Sequence, residues 1–277
     1  MSRRTPLVEE FLARGIVPEC PVIDMHTHPD ANHAIYFPDN TPEGILRTMD
    51  RCGVRTLAIA PHDALVDAPY GNAKSLAMHR AHPERFLVYW CFNPNFPELT
   101  EEAKDAVLTQ PGVIGYKFLP PYHHYPLTGP NYQPLFAHAH AYKRIVLTHT
   151  WRDPTCDAAS IRWLAERYPE MRLLMGHSCW DDFDGAFALA RDFPHVYLEL
   201  TACERMPAFI DRAVREVGAH KLVYGTDLPW FDPFFSIGCV LFADIDDDDR
   251  HAILHGNAEW LLAQQKEHRL DYSPAGY

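Results

Sequence analysis

The sequence predicts a single α/β domain, a TIM-like (β/α)8 barrel that can be distorted from the regular form. Eight short β-rich runs alternate with about eight segments of helical periodicity, at intervals of roughly 24 to 33 residues, the length of one strand–helix unit. Most of the runs are apolar on both faces, as buried parallel strands are. The length of 277 residues is close to the ~250 of a typical barrel.

The strand predictions rest on short runs rich in β-branched and other apolar residues. In chain order they are Val22–Met25, Thr56–Ala60, Phe86–Cys91, Val113–Phe118, Ile145–Thr148, Arg172–Met175, Val196–Leu200 and Leu222–Tyr224. A doubly wound open sheet is the alternative fold. That fold usually has a glycine-rich turn after its first strand, and this chain has His-Thr-His-Pro there instead.

Helical periodicity fills the intervals between the strands. The clearest predicted helices are Pro42–Cys52, Asn72–His82, Asp157–Tyr168, Asp184–Phe193 and Met206–Val217. Thr41 is predicted to cap the first of them, because a proline and an acidic residue follow it. A last helix is expected from about Asp246 to Gln265. Its inward residues are predicted to be Ile253, Leu254, Trp260 and Leu261.

The acidic run Asp246–Asp249 at the start of that helix is interpreted as a cap with first-turn charges, in preference to a cation site. There is no linker, repeat or low-complexity tract. We therefore expect one domain over residues 1–277, with a core from about 20 to 263.

Composition excludes several classes of protein. The formal net charge is −12 and the pI is near 5.7, which argues against a nucleic-acid-binding surface. No segment approaches ~18 uninterrupted apolar residues, so no membrane span is expected, and the first residues lack the apolar stretch of a signal peptide. Seven scattered cysteines without a C-x-x-C pair favour reduced thiols, and we expect a cytoplasmic protein.

Polar side chains follow several of the predicted strands. His26 and His28 come at the end of the first strand, and a period of two places them on the same side. His149, His177 and Asp227 follow the fifth, sixth and eighth strands. The carboxyl ends of barrel strands converge on one mouth, so these five side chains should meet. Imidazole and carboxylate ligands suit Zn²⁺, with Mn²⁺, Fe²⁺ or Ni²⁺ as alternatives.

The motifs around these residues resemble those of the amidohydrolase superfamily. More narrowly, they resemble the amidohydrolase-2 group, which also contains aminocarboxymuconate semialdehyde decarboxylase. The matching stretches run from about Val22 to Leu262 and are VIDMHTH, GVIGYKF, IVLTHT, LLMGHS, VYGTDLPW and GNAEWLL. The lysine segment usually continues as K-L-H-P in hydrolase-like relatives. Here it continues as Lys117-Phe118-Leu119-Pro120, without the histidine.

The resemblance implies a metal centre and a set of roles. The implied metal ligands are His26, His28, His149 and Asp227. His177 matches a histidine that binds the metal or acts as acid and base, and Asp227 is also a candidate proton acceptor. Lys117 falls where two-metal members carry a carbamylated bridging lysine. We expect one divalent ion, with zinc preferred, and Lys117 as a pocket residue.

Four residues are predicted to contact a small-molecule substrate. They are Lys117, Trp151, Arg152 and Glu199. For Glu199 there are two equal alternatives, because a charged residue in an apolar strand is rarely buried unpaired. One is contact with the substrate or with the residues around the site, and the other is a structural salt bridge.

Hydrolysis of an amide, ester or lactone is the preferred activity. Non-oxidative decarboxylation on the same scaffold is the second hypothesis, and a non-catalytic metal-binding barrel is the third. Decarboxylation needs a cation for the carboxylate, and Lys117 and Arg152 are the candidates. Family members are often dimers, so the resemblance leaves a homodimer open.

Overall fold

The protein folds as a TIM-like (β/α)8 barrel, which confirms the predicted fold class. The computed structural model describes residues 4–30, 36 and 39–265. Eight parallel strands pair in the order in which they occur in the chain. They are β1 Val22–Thr27, β2 Val54–Ile59, β3 Phe86–Cys91, β4 Val113–Phe118, β5 Ile145–Trp151, β6 Arg172–Trp180, β7 Val196–Glu199 and β8 Leu222–Val223.

Backbone hydrogen bonds between β1 and the segment after β8 close the barrel. The Met25 amide donates to the Tyr224 carbonyl at 2.9 Å, and the His28 amide donates to the Leu228 carbonyl at 2.7 Å. Between them, the Asp227 amide donates to the His26 carbonyl at 2.7 Å. The closure therefore brings the ends of the first and last strands together.

Helices cover the outside of the barrel. They are α1 Pro6–Arg14, α2 Pro42–Cys52, α3 His62–Val66, α4 Ala68–Ala81, α5 Thr100–Thr109, α6 Pro120–His123, α7 Gln133–Ala141, α8 Ala158–Arg167, α9 Phe183–Asp192, α10 Phe209–Val217, α11 Pro233–Leu241, α12 Asp247–His251 and α13 Asn257–Ala263. The Thr41 hydroxyl caps α2 by accepting from the Gly44 amide at 3.1 Å. The Asp246 carboxylate caps α12 by accepting from the Asp249 amide at 2.8 Å, which confirms that the acidic run Asp246–Asp249 begins with a helix cap.

The last predicted helix is divided by a π-helical turn, Ala252–Gly256, between α12 and α13. Ile253, Leu254 and Leu261 are buried as predicted, but the prediction for Trp260 is wrong, since this residue is 48% exposed. A π-helical turn holds more residues than an α-helical one. Residues beyond the turn are therefore rotated away from the face that a regular spacing predicts.

The core has two parts. One cluster joins side chains of the helices to the strands, and a second contains side chains from all eight strands together with Leu261 and Leu262 of α13.

Polar contacts place α13 and the residues after it at the amino ends of the strands. Gln265 donates to the Ile114 carbonyl in β4 at 2.8 Å, and Asn257 donates to the Leu222 carbonyl in β8 at 2.6 Å.

This end of the barrel is therefore covered, and the carboxyl ends of the strands form the mouth. Among the helices of the described residues, none combines the length and the apolar character needed to cross a bilayer.

Candidate metal centre

The predicted site residues on strand ends meet at the mouth of the barrel. They are His26 in β1, His28 just after it, Lys117 in β4, His149 in β5, His177 in β6 and Asp227 after β8. The ring centroids of His26 and His177 are 5.1 Å apart, and those of His149 and His177 are 4.7 Å apart. Residues that are about 200 positions apart in the sequence thus form one cluster.

Three ligand atoms form a small triangle. His26 Nε2 and His28 Nε2 are 3.2 Å apart, and Asp227 Oδ1 lies 3.2 Å from the first and 3.0 Å from the second. Atoms that lie ~2.1 Å from one ion at angles of ~90–110° are separated by about 3.0–3.4 Å. His177 also places a ring nitrogen within 4.8 Å of the His26 and Asp227 ligand atoms. The spacing fits a single divalent ion.

The two histidines are held so that their lone pairs point into this triangle. His26 Nδ1 lies 2.8 Å from Glu199 Oε2, and His28 Nδ1 lies 2.5 Å from the Ala60 carbonyl oxygen. Because a carboxylate and a carbonyl only accept, each Nδ1 carries the proton and each Nε2 carries the lone pair. Hydrogen bonding of the second ring nitrogen in this way is typical of metal-binding histidines.

Asp227 completes the argument for a cation. Its Oδ1 atom is buried and has no hydrogen-bond partner, although it faces the Nε2 atoms of His26 and His28. The pKa of Asp227 lies well below its usual value despite its burial, so the side chain is ionised at neutral pH. An ionised oxygen facing two lone pairs is unfavourable by itself. Lys117 Nζ contacts one of these atoms, His26 Nε2, whereas a bound cation would satisfy all three. The residues therefore fit a divalent metal.

Asp24 is a part of the site that the sequence analysis missed. Its carboxylate is fully buried and accepts from the His26 amide at 3.1 Å, the Thr226 amide at 3.1 Å and the Thr226 hydroxyl at 2.5 Å. Asp24 thus ties His26 to the residue before Asp227. An acidic residue inside an apolar strand, two positions before His26, was the available signal.

The segment around His177 has an unusual backbone. His177, Ser178 and Cys179 have φ values of 67°, 47° and 51°, in the left-handed region that costs ~1–3 kcal/mol for each such residue. Hydrogen bonds hold the segment: the Cys179 amide donates to the Thr150 hydroxyl at 2.8 Å, and the Ser178 hydroxyl donates to the Glu199 carbonyl at 2.8 Å. The backbone strain lies directly at the predicted acid–base residue.

Glu199 lies behind the cluster, in the interior of the protein. It is completely buried, its Oε1 accepts from the amide and hydroxyl of Thr201, and its Oε2 accepts from His26 and from the His177 amide. Among the alternatives for Glu199, this placement fits support of the site, and the predicted substrate contact needs correction. The physical reason is that all its lone pairs are directed at protein donors.

Burial keeps the imidazoles of His26, His149 and His177 neutral. It lowers the pKa of His26 and His149 well below the usual value, with Lys117 adding to the effect on the first and His177 on the second. It lowers the pKa of His177 to about 4. Neutral imidazole is the form that binds a metal ion.

Lys117 lies inside the cluster. Its side chain is buried, and its Nζ is 2.6 Å from His26 Nε2. Burial lowers the pKa of Lys117 to about 8, so the amine still carries a proton at pH 7. It is therefore a cation in direct contact with a predicted metal ligand.

Aromatic side chains surround the cluster. Trp151 stacks on Trp180 with ring centroids 4.5 Å apart, and its own ring is 4.9 Å from that of His177. Next to His28 lies His62, whose ring is 4.6 Å away and whose Nε2 accepts from Trp230 Nε1 at 2.8 Å.

His62 was not among the predicted site residues, although it follows β2 as the other site residues follow their strands. Arg152, by contrast, forms an exposed ion pair with Asp181, so the structure does not bring it to the cluster.

Comparison with known families identifies the chain. The family model described as Amidohydrolase matches residues 23–263. The chain belongs to the amidohydrolase family. The resemblance noted from the sequence is thereby confirmed. No curated protein matches this amidohydrolase significantly.

Solved structures share the fold of this amidohydrolase at low sequence identity. An uncharacterised TIM-barrel protein from Bordetella bronchiseptica has 18% identity and a TM-score of 0.74, over 88% of this chain and 99% of that one. A 2,6-dihydroxybenzoate decarboxylase complexed with 2,6-dihydroxybenzoate has 14% identity and a TM-score of 0.71, over 88% and 99%. A dihydroxybenzoic acid decarboxylase from a Polaromonas species, with bound manganese and 2-nitroresorcinol, has 16% identity and a TM-score of 0.70, over 88% of this chain and 97% of that one.

Proposed function

We propose that this amidohydrolase binds one divalent metal ion and hydrolyses a small substrate with an amide, ester or lactone carbonyl. The proposed ligands are His26, His28, His149 and Asp227. The observation that carries the proposal is Asp227 Oδ1, a buried carboxylate oxygen without a hydrogen-bond partner, 3.0 Å from His28 Nε2. Nitrogen and oxygen ligands suit zinc. They also suit manganese, which the Polaromonas decarboxylase binds.

The proton transfers are assigned to residues of the chain. A divalent ion would supply the Lewis acidity that activates water and a carbonyl group at neutral pH. His177 Nδ1 lies 3.4 Å from the Thr201 carbonyl oxygen, so this nitrogen carries the proton and Nε2 is left to accept one. His177 is the general base for the attacking water and then returns the proton to the leaving group. Asp227 is a second acceptor beside it.

The surroundings support a planar substrate. Trp151 and Trp180 stack on one side of His177, and His62 and Tyr122 stack near His28, with ring centroids 5.9 Å apart. Tyr122 is 47% exposed, so its ring can be reached from solvent. Aromatic faces stack on flat, unsaturated groups, and we therefore propose a small aromatic or unsaturated substrate.

Decarboxylation of an aromatic carboxylate is the second candidate, and Lys117 favours it. This amine contacts His26 and is cationic at pH 7, because burial lowers its pKa only to about 8. It could hold a substrate carboxylate by a charge-assisted hydrogen bond. Two of the three solved structures described above are decarboxylases of dihydroxybenzoates. Arg152, the other predicted cation, is paired with Asp181 at the surface.

One experiment tests the metal centre and separates the two reactions. The protein is stripped with a chelator, reloaded with zinc or manganese, and incubated with lactones, aryl esters, anilides and hydroxybenzoates that carry an isotopically labelled carboxyl group. Hydrolysis yields a new unlabelled acid, whereas decarboxylation releases labelled carbon dioxide.

The matched variants are His28→Ala and His177→Asn. His28→Ala should lose the ion, and His177→Asn should keep it and lose turnover. Equal metal content in the unmodified protein and in His28→Ala would contradict the proposed centre.

A further inference from the structure

A second cluster of metal-ligating side chains lies at the opposite end of the barrel. Cys20 precedes β1, while His251 ends α12 and His255 lies in the π-helical turn that follows it. One ligand atom from each of the three lies within 4.8 Å of the other two. The cluster shares no residue with the centre at the mouth, so it is independent of the proposed function.

The two histidines are oriented as they would be around an ion. His251 Nδ1 is 3.1 Å from His255 Nε2, and His255 Nδ1 is 3.1 Å from Glu259 Oε2. A carboxylate only accepts, so His255 carries its proton on Nδ1 and its lone pair on Nε2, toward His251 and Cys20. Arg55 pairs with the other Glu259 oxygen at 2.7 Å. Metal-binding histidines are commonly oriented by a carboxylate that accepts from the ring nitrogen that does not bind the metal, as Glu259 does here.

The surroundings provide a buried sulfur and access from solvent. Cys20 is completely buried, whereas His251 and His255 are partly exposed. The π-helical turn, Ala252–Gly256, follows His251 and includes His255, and such turns occur frequently at functional sites. A fourth position would therefore be open to water on the histidine side.

We propose that Cys20, His251 and His255 bind a zinc ion, with water as the fourth ligand. One thiolate and two imidazoles are common zinc ligands. The ion would join the segment before β1 to α12 and to the turn before α13, across the covered end of the barrel. The site is distinct from the centre at the mouth.

Zinc binding at this site replaces the proton of the Cys20 thiol with the metal ion. Burial raises the pKa of the Cys20 thiol to about 12, so the metal-free side chain is protonated. On binding, the S–H bond breaks, a sulfur–zinc bond forms and the proton passes to water. No oxidation or reduction takes place.

Cobalt titration provides a test, because the centre at the mouth contains no sulfur ligand. Co²⁺ bound by a thiolate gives a charge-transfer band in the near ultraviolet, which imidazole and carboxylate ligands do not give. We expect this band in the unmodified protein and in the control Cys52→Ser, which changes another buried thiol. We expect no band in Cys20→Ser. Absence of the band at saturating Co²⁺ in the unmodified protein, or its persistence in Cys20→Ser, would overturn the proposal.

Two milder variants keep the test decisive if Cys20→Ser fails to fold. His251→Asn removes a ligand at a partly exposed position and should abolish the band or weaken Co²⁺ binding by at least tenfold. Glu259→Gln should weaken it about 10–100-fold, the usual effect of losing the group behind a metal-binding histidine. Zinc analysis of the same proteins should show one ion fewer per chain in His251→Asn. Unchanged affinity in both variants would exclude the site.

Discussion

Glu199 lies directly behind His26, with Glu199 Oε2 2.8 Å from His26 Nδ1. The same oxygen accepts from the His177 amide at 3.1 Å, and the other oxygen accepts from the Thr201 hydroxyl at 2.6 Å. One buried carboxylate at the end of β7 therefore sets the tautomer of a proposed ligand and the position of the proposed base. The proposed metal centre therefore depends on a residue that is completely buried behind it.

Glu199→Gln should weaken metal binding about 10–100-fold, the usual effect of changing a group that orients a metal-binding histidine. The amide keeps the shape of the carboxylate but replaces one acceptor with a donor, which faces either His26 or Thr201. Competition with a chelator of known affinity measures the change. Glu98→Gln, at an exposed position, is the control. Equal affinities in the two variants would remove the role assigned to Glu199.

His177→Asn should keep its metal and lose kcat by roughly 10²–10⁴, the usual range for a missing general acid or base. His149→Ala should lose metal and activity together, because it removes a proposed ligand. Metal per chain and kcat are measured for both under identical conditions. If His177→Asn is metal-free and His149→Ala remains loaded, the two roles are reversed.

Lys117→Met should keep the metal at the mouth while kcat/KM falls about tenfold to a hundredfold. One charge-assisted hydrogen bond contributes ~1.5–3 kcal/mol, and the amine, 2.6 Å from His26 Nε2, is proposed to act as a cation and not as a carbamylated bridge. Metal analysis and steady-state kinetics check this. Loss of an ion in Lys117→Met, or bicarbonate-dependent metal binding by the unmodified protein, would point to a bridge.

Gly225→Ala should disrupt the site through a close approach. A Cβ at this position would lie 2.2 Å from Glu199 Oε1 and 2.8 Å from His26 Cβ. The side chains of Glu199 and His26 must therefore move away from residue 225 and from each other. We expect metal binding at least tenfold weaker, by the same reasoning as for Glu199. Gly238→Ala is the matched control, because a Cβ there meets nothing within 4 Å. Equal affinities in both alanine variants would show that the pair adapts.

Glu204→Gln should change how stability depends on pH. Burial raises the pKa of Glu204 from 4.5 to about 7, so the folded state binds more protons than the unfolded state between these values. The free energy of unfolding therefore falls as pH rises through that window. At pH 8 the glutamine variant should be more stable than the unmodified protein by about 3–4 kcal/mol, at ~1.4 kcal/mol per pKa unit.

Urea unfolding at pH 5 and pH 8 measures this difference. The exposed variant Glu98→Gln should show the pH dependence of the unmodified protein. If Glu204→Gln gains nothing at pH 8 relative to pH 5, the buried carboxyl group does not titrate as described.

The periodicity of the sequence was sufficient to predict strands, and the residues after those strands were sufficient to predict one cluster of polar side chains. Runs such as Phe86–Cys91 and Val113–Phe118 are the observed strands to the residue, because residues buried on both faces must be apolar. The position of His26, His28, His149, His177 and Asp227 after such runs predicted one cluster, since parallel strands in a barrel end at one mouth. These inferences need only local patterns and one rule of topology.

The tertiary structure decided what depends on side chains from different strands. That Glu199 supports His26, that Asp24 holds Thr226, and that Lys117 contacts His26 cannot be read from spacing, because each pair spans two strands whose register the sequence does not state. The exposure of Trp260 depended on a π-helical turn that shifts the periodicity. Cys20 and His255 lie close together because closure of the barrel joins distant segments of the chain. Only the folded backbone fixes which of their side chains face each other.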